Sequence, residues 1–96
     1  MEFIWDENKR RKVLIEHKVD FKKVQDAFDD PFAVYFEDFE HSTDEENRLD
    51  IIGYSINYGL IFVVFMYESE NYVRLITARK AENWMVKEYE ENRKRL

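Results

Sequence analysis

Cysteine is absent from this 96-residue chain, so no disulfide framework and no thiolate chemistry is available to it. Proline occurs once and glycine twice, and no Gly-rich phosphate loop, low-complexity tract or internal repeat appears. The longest apolar run, Leu60 to Tyr67, is far too short to span a bilayer. The opening "MEFIWDENK" has neither a basic start nor an apolar stretch, so no signal peptide is expected. With the missing cysteine, this points to a reducing, cytoplasmic setting and no membrane partner.

What is present is 45% hydrophobic and 38% charged. That composition suits one domain over residues 1–96 with a single sizeable core, and it excludes disorder. The net charge of −6 argues against a generic nucleic-acid binder. The charges are unevenly spread. Residues 1–40 carry 7 basic and 11 acidic side chains, residues 41–70 carry 1 and 6, and residues 71–96 carry 7 and 4. Only the last stretch is net positive. A helix end complementing its own dipole accounts for Arg93, Lys94 and Arg95. It does not account for Arg74, Arg79 or Lys80.

Periodicity and turn residues give the elements. "EFIW" reads as a short strand. Asp6 caps a helix that turns Val13, Leu14 and His17 toward the core. Asp20 caps a second helix, with Phe21, Val24 and Phe28 at i, i+3 and i+7, and Asp29-Asp30-Pro31 ends it. "FAVYFEDF" is a candidate strand, and Glu40 to Asn47 is a polar loop. "RLDIIGYSI", "LIFVVFMYE" and "YVRLITA" are successive hairpin strands. The second is apolar on both faces and should be central. The C-terminal segment sets Ala81, Trp84, Met85 and Tyr89 on one helix face. The expected class is α+β, in the order β-α-α-β-β-β-α, with an antiparallel sheet packed by helices.

Alternation puts Arg74 on the face of Ile76 and Ala78, with Val73, Leu75 and Thr77 opposite. Arg79 falls just past the strand end, where alternation fixes no direction. A mid-strand arginine between apolar neighbours needs an acidic partner or an anionic ligand. "ARK" before a helix would join two cations to free backbone N–H groups, a setting for phosphate. The two side chains could equally reach into water. Glu45, Glu46 and Arg48 lie in an acidic loop that opens a strand. His17 stands at a helix end and His41 in a polar loop. Either could titrate near neutrality. Two histidines without close spacing are a weak metal signal, and the acidic loop could hold a divalent cation through its oxygens but shows no ordered ligand pattern, so no metal or cofactor is expected.

Several stretches together carry a family resemblance. "FIWDENK", "HKVDF", "FDDP", "EENRLDIIG" and "VRLITARKA" occur in the order and spacing of the BrnT family, ribonuclease toxins of bacterial type II toxin–antitoxin systems. The resemblance spans Phe3 to Tyr89. Its strongest piece, "RLITARKA", is similar to the family's Arg-[Ile/Leu]-Ile-[Ser/Thr]-Ala-Arg-[Lys/Arg]-Ala. Glu46-x-Arg48 before "IIG" is the next. The family's His-Gly-Val reads His17-Lys18-Val19 here, which places a lysine where a left-handed helix end favours glycine. The resemblance implies a RelE-like fold and an RNA substrate. It also implies a BrnA-like ribbon-helix-helix antitoxin, with DNA reached only through that partner. The family's cationic positions fall on Arg48, Arg74, Arg79 and Lys80.

Such an enzyme would cleave RNA without a metal, leaving a 2′,3′-cyclic phosphate and a 5′-hydroxyl and inhibiting translation. The cations would hold the phosphorane charge. Glu46, His17 or a Lys80 of lowered pKa would be the base. The rival class is a non-catalytic interaction module, or an inactive homologue, whose basic third binds a partner or a second copy.

Overall fold

In the computed structural model, which describes residues 1–95, the most apolar segment of the chain is the middle of a five-stranded sheet. This strand, β4 (Gly59–Tyr67), lies between β3 (Leu49–Ser55) and β5 (Tyr72–Lys80) and runs antiparallel to both. Ile61, Val63 and Phe65 are buried in a core on one face, here the back. Phe62 and Val64 are buried in a second core on the front. Two-sided burial is why this strand has no polar alternation, and its expected central place is met.

Two short strands complete the order β1-β5-β4-β3-β2. β2 (Val34–Glu37) is antiparallel to β3, whereas β1 (Glu2–Ile4) is parallel to β5. The α+β class stands. The sheet is mixed rather than antiparallel, and the order holds one strand more than expected, because the candidate strand at "FAVYFEDF" forms in part. A three-residue strand carries no alternation long enough to announce a parallel partner at the other end of the chain.

Helix α1 (Glu7–His17) starts at Asp6, whose carboxylate accepts the N–H of Asn8 at 2.8 Å and of Lys9 at 3.2 Å. It ends at Lys18, with φ 60°, the one non-glycine residue of positive φ among the described residues. The Lys18 N–H returns to the Leu14 carbonyl at 3.1 Å, and its Nζ donates to the Ile15 carbonyl at 3.0 Å. Only Val13 of this helix is buried. Leu14 is exposed and His17 lines a cleft, so the inward face is narrower than the sequence suggested.

The expected second helix is not α-helical. Phe21–Lys23 and Gln25–Asp29 are two 3-10 turns separated by Val24. Apolar residues three apart fit either form. Side-chain anchors hold the turns against β3. Asp26 accepts the Ile56 N–H at 2.8 Å, and the Ser55 hydroxyl donates to the Lys23 carbonyl at 3.1 Å. Asp30 accepts the Tyr54 N–H at 2.9 Å and the Tyr89 hydroxyl at 2.8 Å. Burial first, then that bond and the charge of Asp30, pushes the Tyr89 phenol up to about 12.

Helix α2 (Asn83–Arg95) covers the front face through Met85 and Tyr89, one turn apart. It packs over β2 and β3, while α1 lies against β5. The one buried residue of α1, Val13, belongs to the back core, so α2 alone covers the front and leaves a strip of it beside α1 open.

Candidate active site

Strand β5 is not regular. Val64 of β4 pairs with Thr77 and its neighbour Phe65 pairs with Leu75, so Ile76 is an extra residue on β5. This β-bulge resets the alternation. Arg74 and Ile76 face the front. Past the bulge, Ala78 opposes Val63 on the back and Arg79 opposes Phe62 on the front. Without it, Arg79 would follow Val73 and Leu75 to the back. Ala78, expected beside Arg74, is correspondingly on the back. β5 also runs to Lys80, so Arg79 and Lys80 are strand residues and lie outside the first turn of α2. The Arg79 guanidinium stacks over the Phe62 ring, 5.1 Å from its centroid.

The loop between β2 and β3 folds over this strip. Its neck is tied by the Asp38 N–H to the Arg48 carbonyl at 3.0 Å and by the Arg48 N–H to the Ser42 hydroxyl at 2.9 Å. Asp38 is buried and holds His41 twice. One carboxylate oxygen accepts the His41 N–H at 3.0 Å, and the other meets Nδ1 of the ring at 2.8 Å. An ionised Asp38 can only accept, so Nδ1 carries a hydrogen, and in the neutral ring the lone pair sits on Nε2. Burial works to raise Asp38. The bonds it receives from Asp50 and from the ring and backbone of His41 outweigh that and lower it.

Asp50, on β3, is 4% exposed, and its Oδ1 has no hydrogen-bond partner. Two acceptor-only carboxylates cannot satisfy each other, but one proton between them can. Burial above all, then the bond and charge of Asp38, pushes Asp50 up to about 8, with Arg79 pulling the other way. The pair therefore holds its proton on Asp50 and its charge on Asp38, beside His41.

Four adjoining clefts, of about 310, 330, 240 and 290 Å³, make one groove along the strip. The first is lined by Glu46, Arg48, Arg74 and Lys9, and the second by Arg48, Lys9, Lys12, His41 and Thr77. The third holds His17, His41, Thr77, Phe62 and Arg79, and the fourth continues past Arg79 to Trp84. His41 lines three of the four. The structure thus gathers Arg48, Arg74, Arg79, Glu46 and His17 along one groove. Lys80 opposes Ile61, a back-face residue, and lines none of these clefts. His41, which the sequence places in a polar loop, is held at the centre. Its spacing from Asp38, Asp-x-x-His in a loop between strands, is the signal that could have marked it.

Each arginine has a glutamate partner. Arg48 meets Glu46 at 3.4 Å, Arg74 meets Glu68, and Arg79 meets Glu82 at 2.7 Å. Those pairs are incomplete. The buried Nε of Arg48 has no partner, and Arg79 uses only Nη1. An anion entering the groove would find free guanidinium donors. A larger cavity, about 700 Å³, lies elsewhere and has Asp26, Asp29, Asp30 and Glu90 around a single cation, Arg93. It would repel a phosphate, so the smaller groove is the candidate site. Among the described residues no helix is long and apolar enough to cross a membrane.

Residues 5–84 match a family model described as the ribonuclease toxin, BrnT, of type II toxin-antitoxin systems. Among solved structures, the crystal structure of the Brucella abortus ribonuclease toxin BrnT is similar at a TM-score of 0.67 and 28% identity. The match covers 86% of this chain and 99% of that one. No curated protein matches.

Proposed function

Because the chain belongs to the BrnT family of ribonuclease toxins of type II toxin–antitoxin systems, we propose that it cuts RNA in the groove between α1 and α2. The observation that carries this reading is the β5 bulge, which brings Arg79 into one cleft with His17, His41 and Thr77. A backbone phosphate in that cleft is held by the free donors of Arg79, and Arg48 lines the adjoining cleft. Nε2 of His41, fixed by Asp38, takes the proton of the 2′-hydroxyl. The 2′-oxygen attacks phosphorus, and the 5′-oxygen leaves with a proton from His17, which lines the same cleft. The products are a 2′,3′-cyclic phosphate and a 5′-hydroxyl, and the balance of the reaction needs no metal. Glu46 and Glu68 orient Arg48 and Arg74, while Lys80 lies too far round the sheet to touch the phosphate.

The fold is read as RelE-like, and the setting as the cytoplasm, where cleavage of RNA inhibits translation. The inhibitor is a BrnA-like ribbon-helix-helix antitoxin. The glutamates that half-occupy the arginines, together with a net charge of −6, favour the second reading, an interaction module that does not cleave. Purified protein and Arg79→Ala, each incubated with RNA with and without EDTA, separate the two. The substitution removes a donor to the phosphorane and should slow cleavage roughly a hundred- to a thousandfold, with the melting temperature nearly unchanged. EDTA should leave the wild-type rate intact. Wild-type protein that never cleaves, or an Arg79→Ala variant that cleaves at full rate, would overturn the proposal.

A further inference from the structure

The fourth cleft, about 290 Å³, differs in chemistry from the rest of the groove. Its walls include Phe36, Phe39, Phe62 and Trp84, alongside Arg79, Asp38 and Asp50. Trp84 is 49% exposed and Phe39 82%. Aromatic side chains of that size are seldom left in water at a polar cleft without a partner. Trp84 is also held in position. Its Nε1 donates to Glu82 Oε2 at 2.9 Å, and the other oxygen of the same carboxylate takes Arg79 Nη1 at 2.7 Å. Phe36 supports it at a centroid distance of 6.3 Å, and Phe36 is supported in turn by Phe62 at 6.3 Å. One carboxylate thus fixes a flat apolar surface at a set distance from a phosphate-binding guanidinium.

We propose that this cleft is a nucleobase subsite, in which Trp84 stacks an unpaired base whose backbone phosphate lies on Arg79. The inference rests on the ribonuclease reading and adds a substrate class to it, single-stranded RNA with a splayed-out base beside the cut. Stacking on an aromatic ring serves any base. The rim selects among them. Glu37 and Glu40 offer acceptors only and line the same cleft. Adenine, guanine and cytosine present exocyclic amino groups with two N–H donors to such a rim, whereas uracil presents only its single ring N3–H. Purines add the larger stacking area. The acidic rim also sets which end of the nucleotide enters, since a second phosphate would be repelled there and the backbone must stay at the Arg79 end.

The test uses 2′-O-methyl heptanucleotides, which lack the attacking hydroxyl and so bind without being cut. Fluorescence anisotropy measures binding of the adenylate and uridylate heptamers, and tryptophan emission reports stacking, with Trp84→Phe separating the signal of Trp84 from that of Trp5. The adenylate heptamer should quench Trp84 and bind at least several-fold more tightly than the uridylate. Trp84→Ala should weaken adenylate binding roughly five- to a hundredfold, and Trp84→Phe should restore most of it. Equal binding by wild type and Trp84→Ala, or no preference between the heptamers, would overturn the subsite. RNA cleavage by the same preparations tells the two readings apart. A Trp84→Ala protein that cuts at the same positions and rate removes the subsite and leaves the ribonuclease reading standing. Trp84-dependent binding with no cleavage by wild type does the reverse.

Discussion

Replacing Asp50 by Asn should make this protein more stable at neutral pH and remove part of its pH dependence. Asp50 is 4% exposed on β3, between Phe36 and Val64 in the sheet register. Its carboxyl ionises near 3.8 in the unfolded chain and is pushed up to about 8 in the fold, chiefly by burial and then by Asp38. The fold therefore holds a proton that the unfolded chain has lost. The stability tied to that proton is fully present below about 3.8, declines as pH rises, and is gone once pH passes about 8. Within that window each pH unit costs about 1.4 kcal/mol. From pH 5 to pH 7 the wild type should thus lose about 2–3 kcal/mol that Asp50→Asn does not lose. Against a typical total of about 5–15 kcal/mol this is readily measured. Asparagine keeps the shape of the protonated acid and still donates to Asp38, so His41 stays in place. Urea denaturation of both proteins at pH 5, 6 and 7 gives the difference directly. Stability curves that run parallel across that range would refute the shared-proton account of the pair.

Two further substitutions probe the backbone. Lys18→Gly relieves a side chain held at φ 60° at the end of α1; allowing for the lost Nζ bond, it should add roughly 0.5–1 kcal/mol, seen as a melting temperature higher by about 2–6 °C. Gly53→Ala sets a Cβ 2.8 Å from the Ala27 carbonyl oxygen and should cost about 2–3 kcal/mol, read as a lower urea midpoint; an unchanged midpoint would show that the turn at Ala27 is free to shift.

Much of the architecture was legible because its causes are local. Asp6 caps α1 through its own carboxylate, and β4 advertises a central place by having no polar side. Lys18 takes the left-handed position that the family's glycine implied. The two 3-10 turns were misread because residues three apart satisfy both helix types, and what fixes them is contact with β3. The bulge at Ile76 has no glycine or proline to mark it, and one extra residue is enough to move Arg79 across the sheet. For that reason the arginines were recognisable one by one, while their meeting with His17 was not. Asp38 and Asp50 were invisible as a pair, since they come together only when β2 and β3 are side by side.

The parallel ladder between Glu2–Ile4 and Tyr72–Arg74 joins the first strand of the chain to the fifth. The groove repeats that pattern, with Lys9, Lys12 and His17 on one wall and Arg74 to Trp84 on the others. No fragment that stops short of β5 contains both walls. During synthesis the N-terminal helix emerges without its partner strand, and contacts of such long sequence separation close last. The order of chain growth itself therefore delays the appearance of the groove until β5 has been made.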